Sequence, residues 1–246
     1  GFILGPRVNA GGRVGESELG SQLLSTTDPE EAARLAQRLD AYNHERREIE
    51  ERIQAEAMAQ AKSQSNRSMI MVSGEGWHPG VVGIVASRLK DRYNLPACVV
   101  SVAGGKATGS GRSIPGFDLG NSVIAARQQG LLRAGGGHAM AAGFTLDEQK
   151  LDEFHEFLDE RVGAVIRDEE IVPTATVDGV LTMGSSTLEL IQTVQRLGPF
   201  GSGNAEPRFA YSGLRVVNAS VVGKGHVRCV FSNAEGARLQ AISFRS

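Results

Sequence analysis

The sequence predicts an α/β fold in which a long connecting helix leads into an α/β domain and then into a small C-terminal β-barrel. Three observations support this prediction. A helical pattern without Gly or Pro follows residue 29, strand and helix patterns alternate over residues 68–166, and short alternating segments separated by turn residues fill residues 167–246. Residues 1–27 are rich in glycine, and we expect them to be irregular, with a short helix near residues 17–24.

The connecting helix is predicted from its start signals and its length. Asp28 can cap the helix, Pro29 suits its first position, and Glu30 and Glu31 favour the positive helix end. The pattern continues to about residue 62, which corresponds to roughly 50 Å at about 1.5 Å per residue. Because the apolar stripe is thin and is interrupted by Arg46, we favour a strut that joins two domains over a coiled-coil arm.

The other elements are predicted from alternating patterns and from Gly, Asn and Ser turns. In the α/β domain we expect strands at residues 69–73, 97–103, 106–113 and 144–146 and helices at 81–93, 118–132 and 147–165. In the C-terminal region we expect strands at 174–181, 208–211, 214–222, 226–232 and 239–244, with one helix at 187–197. Five short strands with one helix are typical of a small β-barrel.

Composition limits the possible classes of protein. Hydrophobic residues make up 41% and charged residues 22% of the 246 residues, as in globular chains, and the net charge of −2 restricts any nucleic-acid binding to local basic patches. Cys98, expected in the core, and Cys229 lack the CxxC spacing of a structural zinc site and fit a reducing cytoplasm. No run of about 18 apolar residues predicts a membrane span. Because the first residue is not Met and the last residues are apolar, we expect an internal part of a longer protein.

Two glycine-rich motifs in the first third of the chain are candidate anion sites. Arg7, Asn9 and Arg13 lie on the stretch 5–13, where arginine forks could hold phosphate oxygens; a solvated surface loop is an equal alternative. Three glycines in residues 74–80 precede a helix, so backbone N–H groups could face an anion there. In the same motif Trp77 could stack on a base beside His78, although a junction with Trp77 in the core is the stronger alternative from the residues alone.

Two further motifs lie in the predicted α/β domain. If residues 109–113 form a strand, Ser110 and Arg112 project from the same face and make a compact phosphate pocket beside Ser113; a plain polar edge strand is the alternative. Residues 135–143 combine three glycines, His138 and small residues. This composition suits a ligand that approaches the backbone at Gly136 and Gly137, whereas a capped structural histidine is the alternative.

The residues show no pattern that we would assign to catalysis. No metal-ligand cluster is visible, and Glu45, Glu48, Glu50 and Glu51 are expected on a solvated helix face. No Ser-His-Asp or Cys-His arrangement is recognisable. We therefore predict no catalytic and no metal-binding residue in this chain.

The four motifs, in this order, resemble the RecJ family of the Asp-His-His phosphoesterase superfamily. The resemblance rests on residues 5–13, 76–86, 110–113 and 135–143, and the stretch 198–209 is similar to the linker into the OB-fold of that family. It implies an N-terminal Asp-His-His domain with two Mn²⁺ or Mg²⁺ ions, a long helix, an Asp-His-His-associated domain and an OB-fold-like β-barrel. Residues 1–27, 28–67, 68–166 and 167–246 would then be the end of the first domain and the three parts that follow.

The resemblance also implies a function. The full-length protein would be a 5′→3′ single-stranded-DNA exonuclease of DNA repair and recombination, whereas this chain, without the metal-binding motifs, would be inactive alone. Ser110 and Arg112 would hold the terminal 5′-phosphate with help from Arg7 or Arg13, and His138 with its glycines would face a phosphate near the metals. The predicted set for DNA and phosphate binding is Arg7, Asn9, Arg13, Trp77, His78, Ser110, Arg112, Ser113, Gly136, Gly137 and His138.

Two other functions stay open at this point. A short-oligonucleotide or cyclic-dinucleotide phosphodiesterase of the same superfamily also carries a Gly-Gly-Gly-His motif, but the long helix and the barrel-like tail count against it. A non-catalytic relative that only binds DNA is the other alternative. Single-stranded DNA is the expected partner in a cytoplasmic setting without a membrane, and the sequence is silent on protein partners.

Overall fold

The computed structural model describes residues 3–64, 66–168, 175–201, 203–223 and 225–244. The chain divides into two compact units, Gly1–Val172 and Pro173–Ser246. Each unit is described by itself.

The first unit begins with three short helices, which corrects the prediction of an irregular stretch before residue 17. Helices α1 (Leu4–Val8), α2 (Gly11–Val14) and α3 (Leu19–Ser25) precede the connecting helix. A β-carbon on Gly11 would lie 2.4 Å from the carbonyl oxygen of Glu16, so glycine permits this tight packing. Gly11, one of the glycines that suggested an irregular stretch, therefore serves helix packing.

The connecting helix α4 (Pro29–Ala61) starts as predicted, with the Asp28 carboxylate accepting a hydrogen bond from the Glu30 N–H at 2.9 Å. Both halves of α4 pack against apolar side chains of other elements. Leu35 and Leu39 join a cluster with Leu19 of α3. Farther along, α4 contributes to a second apolar cluster through Ile53, Ala57 and Ala61.

One predicted surface of α4 is wrong. Glu50, expected on a solvated face, is only 8% exposed, and Arg46, expected to interrupt the apolar stripe, is also 8% exposed. The two side chains form an ion pair, and Glu50 also contacts Arg88 at 3.3 Å. Arg46 donates to Asn43 at 3.0 Å. The charges are buried because they compensate one another within a helix–helix contact.

The α/β part of the first unit is built on a five-stranded sheet in the order β1-β2-β3-β5-β4. Strand β1 is parallel to β2, and the other neighbours are antiparallel. The strands are β1 (Ile70–Glu75), β2 (Ala97–Ala103), β3 (Lys106–Arg112), β4 (Ala134–His138) and β5 (Ala141–Asp147). The accompanying helices are α5 (Pro79–Tyr93), α6 (Leu119–Gln128) and α7 (Leu151–Asp168).

Alternation along β2 divides the core between the two faces of this sheet. Ala97 and Val99 belong to the cluster that includes residues of α4 and α5, whereas Cys98 and Val100 belong to the cluster with residues of α6 and α7. Cys98 is fully buried as expected, and burial raises the pKa of its thiol to about 12. Helices therefore pack against both faces of the sheet at β2.

Two boundaries in this part differ from the predictions. Helix α6 is capped by Asp118 as expected but ends at Gln128 rather than residue 132, and Gly130 then adopts a φ of +76°. The glycine triplet, for which no strand was predicted, lies in strand β4. Glycine has no side chain to give an alternating pattern, and the strand forms through its pairing with β5.

The second unit contains the predicted helix and a strand within each predicted segment, but the first strand, predicted over 174–181, is shorter than expected because residues 175–178 are not in a strand. The elements of this unit are β6 (Gly179–Leu181), α8 (Leu188–Gln195), β7 (Phe209–Tyr211), β8 (Arg215–Val222), β9 (His226–Ser232) and β10 (Arg238–Ser243). β10, β9 and β8 form an antiparallel sheet, and β6 pairs with β7 in parallel. Residue 174, the predicted start of the first strand, lies outside the described residues. These are OB-like sheets, and within the described ranges they do not close into a barrel.

Candidate nucleic-acid interface

The register of the sheet brings two predicted motifs onto one face. Ser110 of β3 pairs with Gly143 of β5, which pairs with Gly136 of β4. Two residues farther along, Arg112 is in register with Ala141, and Ala141 with His138. Partners in register point to the same side of a sheet, and neighbouring strands lie about 4.8 Å apart. Ser110 and Arg112 therefore share a face with the glycine strand, roughly 10 Å from it.

This face of the sheet is open at Gly136 of β4 and Gly143 of β5. An added β-carbon would meet nothing within 4 Å at Gly136 and only the Gly109 carbonyl oxygen, at 4.0 Å, at Gly143. We call Gly136 and Gly143 the glycine floor. His138 is exposed at the end of the same strand. A flat backbone surface of this kind lets a bulky ligand approach closely.

Ser110 and Arg112 form a hydrogen-bonded pair beside the glycine floor. The Arg112 Nη1 donates to the Ser110 Oγ at 2.9 Å and to the Gly111 carbonyl oxygen at 2.8 Å. The prediction that the two side chains share a face is thus confirmed; their contact with phosphate stays a prediction. Both residues are partly buried, so a ligand held there would be partly shielded from water.

A second guanidinium lies near Arg112. Burial and then the positive charge of Arg13 lower the pKa of Arg112. In the described ranges, neither arginine forms an ion pair with a carboxylate, and Arg13 donates only to the Gly80 carbonyl oxygen at 3.4 Å. Two uncompensated positive charges at one place favour an anionic ligand.

The other residues of the first motif lie in different surroundings. The Arg7 Nε contacts the Asp40 carboxylate at 2.7 Å, and its Nη1 donates to the Ile3 carbonyl oxygen at 2.9 Å. Asn9 is exposed at the C-terminal end of α1. Of the two arginines expected to help Arg112, Arg13 is the one whose positive charge contributes to lowering the Arg112 pKa.

Helix α5 reaches this face through Gly80, which belongs to the candidate anion motif of residues 74–80, and through Gly83, which the sequence did not single out as functional. A β-carbon on Gly80 would lie 2.0 Å from the Arg13 carbonyl oxygen, so α2 and α5 approach closely there. A β-carbon on Gly83 would lie 3.0 Å from both the Arg112 Nη2 and the Ser110 Oγ. Glycine inside a helix costs about 1 kcal/mol relative to alanine. Two small residues three positions apart on one helix face were the available signal.

Two residues of the predicted set are removed from the interface by burial, and a third caps a helix while its contact with DNA stays a prediction. Trp77 is 3% exposed, and its Nε1 donates to Glu56 at 2.7 Å, so its ring offers no face to a base and the stacking prediction is wrong. Ser113 is 1% exposed and donates to the Phe117 carbonyl oxygen at 2.7 Å, which removes its hydroxyl from the interface. His78 caps α5, accepting from the Gly80 N–H at 3.1 Å.

Gly137, the remaining member of the set, has a packing role. A β-carbon there would lie 2.3 Å from the Ala141 carbonyl oxygen of the neighbouring strand β5. The glycine at this position keeps the β4–β5 hairpin closed. A side chain could therefore be added at Gly136 without a clash but not at Gly137, and His138 is exposed at the end of the strand.

The described residues offer no ligand set for a two-metal centre. No group of three or more His, Cys, Asp or Glu side chains lies close enough together in those ranges to hold a metal ion. Two-metal hydrolysis requires several such ligands around ions about 3.5–4 Å apart. Among the helices described, none has the length and apolar character needed to cross a membrane.

Comparison with known proteins identifies both units. Residues 65–164 match the DHHA1 domain model, and residues 177–246 match the RecJ OB domain model. The chain is 35% identical over 249 residues to the single-stranded-DNA-specific exonuclease RecJ of Bacillus subtilis, an alignment that covers 99% of this chain and 31% of the relative. For the protein of the same name from Dickeya dadantii, identity is 36% over 247 residues, with coverages of 97% and 43%.

A solved structure gives the same result. The crystal structure of RecJ in complex with Mn²⁺ from Thermus thermophilus matches with a TM-score of 0.80 and 30% identity, covering 98% of this chain and 35% of that one. The chain therefore spans less than half the length of the relatives it matches. The two domain models and the nearly complete coverage by RecJ proteins show that this chain belongs to the RecJ family.

Proposed function

We propose that this chain is the part of a 5′→3′ single-stranded-DNA exonuclease, acting in DNA repair and recombination, that binds the 5′-phosphate and the DNA backbone. The observation that carries the proposal is that Arg112, which is hydrogen-bonded to the Ser110 hydroxyl, and Arg13, whose charge lowers the Arg112 pKa, both lack carboxylate partners in the described ranges. Arginine forks bind phosphate oxygens in pairs, and a hydroxyl adds a further donor.

The bound DNA strand would continue from this pocket over the glycine floor. Because Gly136 and Gly143 carry no side chains, the sugar–phosphate backbone can approach the sheet, and the exposed His138 can donate to a further phosphate. The second unit would bind the trailing DNA, in keeping with its match to the RecJ OB domain model. The same match weighs against a short-oligonucleotide or cyclic-dinucleotide phosphodiesterase.

The hydrolytic chemistry would come from outside the described residues. RecJ of Thermus thermophilus has been solved with Mn²⁺ and with Mg²⁺, so Mn²⁺ or Mg²⁺ is the proposed cofactor of the longer protein. The described residues do not fit a metal centre. By itself the chain would bind DNA without cleaving it.

The proposal is tested in a full-length enzyme that carries this chain. Arg112→Ala should lower cleavage of 5′-phosphorylated DNA more than cleavage of 5′-hydroxyl DNA. A terminal phosphate carries more negative charge than an internal one, and losing one charge-assisted hydrogen bond costs about 1.5–3 kcal/mol. The ratio of the two cleavage rates should therefore fall about ten- to hundredfold. Arg112→Lys should recover only part, because an ammonium cannot reproduce the fork.

Arg133→Ala is the matched control. It removes an arginine whose charge is already paired with Asp147, and the rate ratio should not change. If Arg112→Ala lowers both rates equally, Arg112 grips DNA generally or supports the fold, and the assignment of the 5′-phosphate pocket is wrong. If the full-length enzyme binds DNA but releases no nucleotide with Mn²⁺ or Mg²⁺, the non-catalytic alternative holds instead.

A further inference from the structure

Gly83 occupies an unfavourable position for its residue type. It lies inside α5, flanked by the buried Val82 and followed by the buried Val85 and Ala86, where alanine would favour the helix more. Its φ is not among the positive values of this chain, so the backbone conformation does not require glycine. The reason for glycine must therefore be sought in what surrounds it.

The surroundings of Gly83 are the two donors of the proposed phosphate pocket. A β-carbon there would lie 3.0 Å from the Arg112 Nη2, 3.0 Å from the Ser110 Oγ and 3.5 Å from the Ser110 Cβ. Ordinary van der Waals contacts of a β-carbon begin near 3.4 Å, so both donor atoms would have to move by a few tenths of an ångström. Both are terminal atoms of side chains that can turn away without moving the backbone.

Gly80, one turn earlier, has a different role. Its β-carbon would meet the backbone of Arg13 at 2.0 Å, a contact that no rotamer change can relieve. Substitution at Gly80 would therefore disturb the packing of α2 on α5. Substitution at Gly83 would leave the packing intact and displace only the donor groups.

We propose that Gly83 is a positioning residue for 5′-phosphate recognition: the bare helix backbone lets the Arg112 guanidinium and the Ser110 hydroxyl lie against α5 in one shared geometry. This inference rests on the proposed function of the Ser110–Arg112 pair. A binding site must hold its donors within about 0.5 Å of the productive geometry, so a methyl group at this position is large enough to matter. Selectivity for the phosphorylated end then depends on Gly83, although glycine has no side chain with which to contact DNA.

The test is Gly83→Ala in a full-length enzyme that carries this chain. Two readouts should move in opposite directions. The Tm of the purified chain should rise by about 2–4 °C, because alanine favours the helix and the displaced side-chain ends can move freely. The ratio of cleavage rates on 5′-phosphorylated and 5′-hydroxyl DNA should fall about tenfold, because small misplacements of aligned groups are costly.

Gly5→Ala is the matched control, since Gly5 lies in helix α1 and its β-carbon would meet nothing within 4 Å. It should leave the rate ratio unchanged. A lower Tm for Gly83→Ala with equal losses on both substrates would mean that Gly83 serves packing, and would overturn the inference. Arg112→Ala separates this failure from that of the proposed function. If Arg112→Ala abolishes the preference and Gly83→Ala leaves it intact, only the role of Gly83 is wrong.

Discussion

Arginine has opposite surroundings in two regions of the first unit. At the α4–α5 contact, Arg46 is buried against Glu50, which also contacts Arg88. Beside the glycine floor, Arg112 and Arg13 have no carboxylate partner in the described ranges, and the positive charge of Arg13 contributes to lowering the Arg112 pKa. A buried charge must be compensated, whereas uncompensated charges at an accessible place are suited to an external anion. The compensated arginines therefore stabilise the fold, and the uncompensated ones indicate the ligand.

The positive charge of Arg67 is also compensated by carboxylates, in this case at the surface. The Arg67 guanidinium contacts Glu156 through both terminal nitrogens, at 2.6 and 2.8 Å, and Asp159 at 3.5 Å. Asp159 also accepts hydrogen bonds from the backbone N–H groups of Ser68 and Met69. This cluster attaches the start of β1 to helix α7. Like the Arg46 pair, it connects elements of the fold and leaves no charge for DNA.

The largest expected effect concerns the buried pair. Glu50→Leu should lower the free energy of unfolding by about 3–5 kcal/mol, because Arg46 would stay buried without its carboxylate. Arg46→Met combined with Glu50→Leu should restore most of this stability, since an apolar pair of similar volume needs no compensation. Urea unfolding of the purified chain measures both values.

Glu48→Leu is the matched control on the same helix, because the Glu48 side chain is 73% exposed. Its effect should stay within about 0.5 kcal/mol. If Glu50→Leu lowers the free energy of unfolding no more than Glu48→Leu does, the Arg46–Glu50 pair does not stabilise the fold. The claim that compensated arginines have a structural role would then be wrong.

A smaller effect is expected at His155, next to the Arg67 cluster. Burial and then the charge of Arg67 lower the pKa of His155, so the folded state favours the neutral ring. The stability that depends on this neutral ring is complete above the ordinary histidine pKa of about 6.5 and is lost as pH falls through the lower folded value. The urea midpoint should therefore fall between pH 7 and pH 5.

His155→Gln should reduce this fall, because the variant has no group to protonate. Glu156 does not interfere, since Arg67 lowers the pKa of that carboxyl below its ordinary value and its contribution is lost only at more acidic pH. His44→Gln, at an exposed position of α4, is the control and should behave like the original chain. Equal pH dependence in the His155→Gln variant would show that another group is responsible.

Much of the fold could be predicted because its signals are local. The cap at Asp28 and the uninterrupted helical pattern defined α4, and β2 was predicted at its observed bounds because a doubly covered strand is continuously apolar. Strand β4 could not be predicted, because three glycines carry no pattern and their strand depends on pairing with β5. The burial of Glu50 also required tertiary information, namely that Arg88 of α5 would meet it.

The candidate site, like the fold, was predictable only where its signals are local. The two-residue period of a strand was enough to put Ser110 and Arg112 on one face. The burial of Trp77 was the stronger alternative from the residues alone and is confirmed, whereas the burial of Ser113 depends on how the segment before α6 packs, which no single motif reveals. Gly83 was missed because a helix glycine acquires its meaning only when the opposite side chains are known.

The most direct test of the central claim is the affinity of the purified chain for two short single-stranded oligonucleotides that differ only in a 5′-phosphate or a 5′-hydroxyl. The phosphorylated strand should bind more tightly, and Arg112→Ala should abolish its advantage. If Arg13 and Arg112 contact two phosphates, affinity should also fall about sevenfold between about 50 mM and about 200 mM salt. Equal affinity for the two oligonucleotides, or an advantage that survives in Arg112→Ala, would contradict the claim that the uncompensated arginines bind the 5′ end.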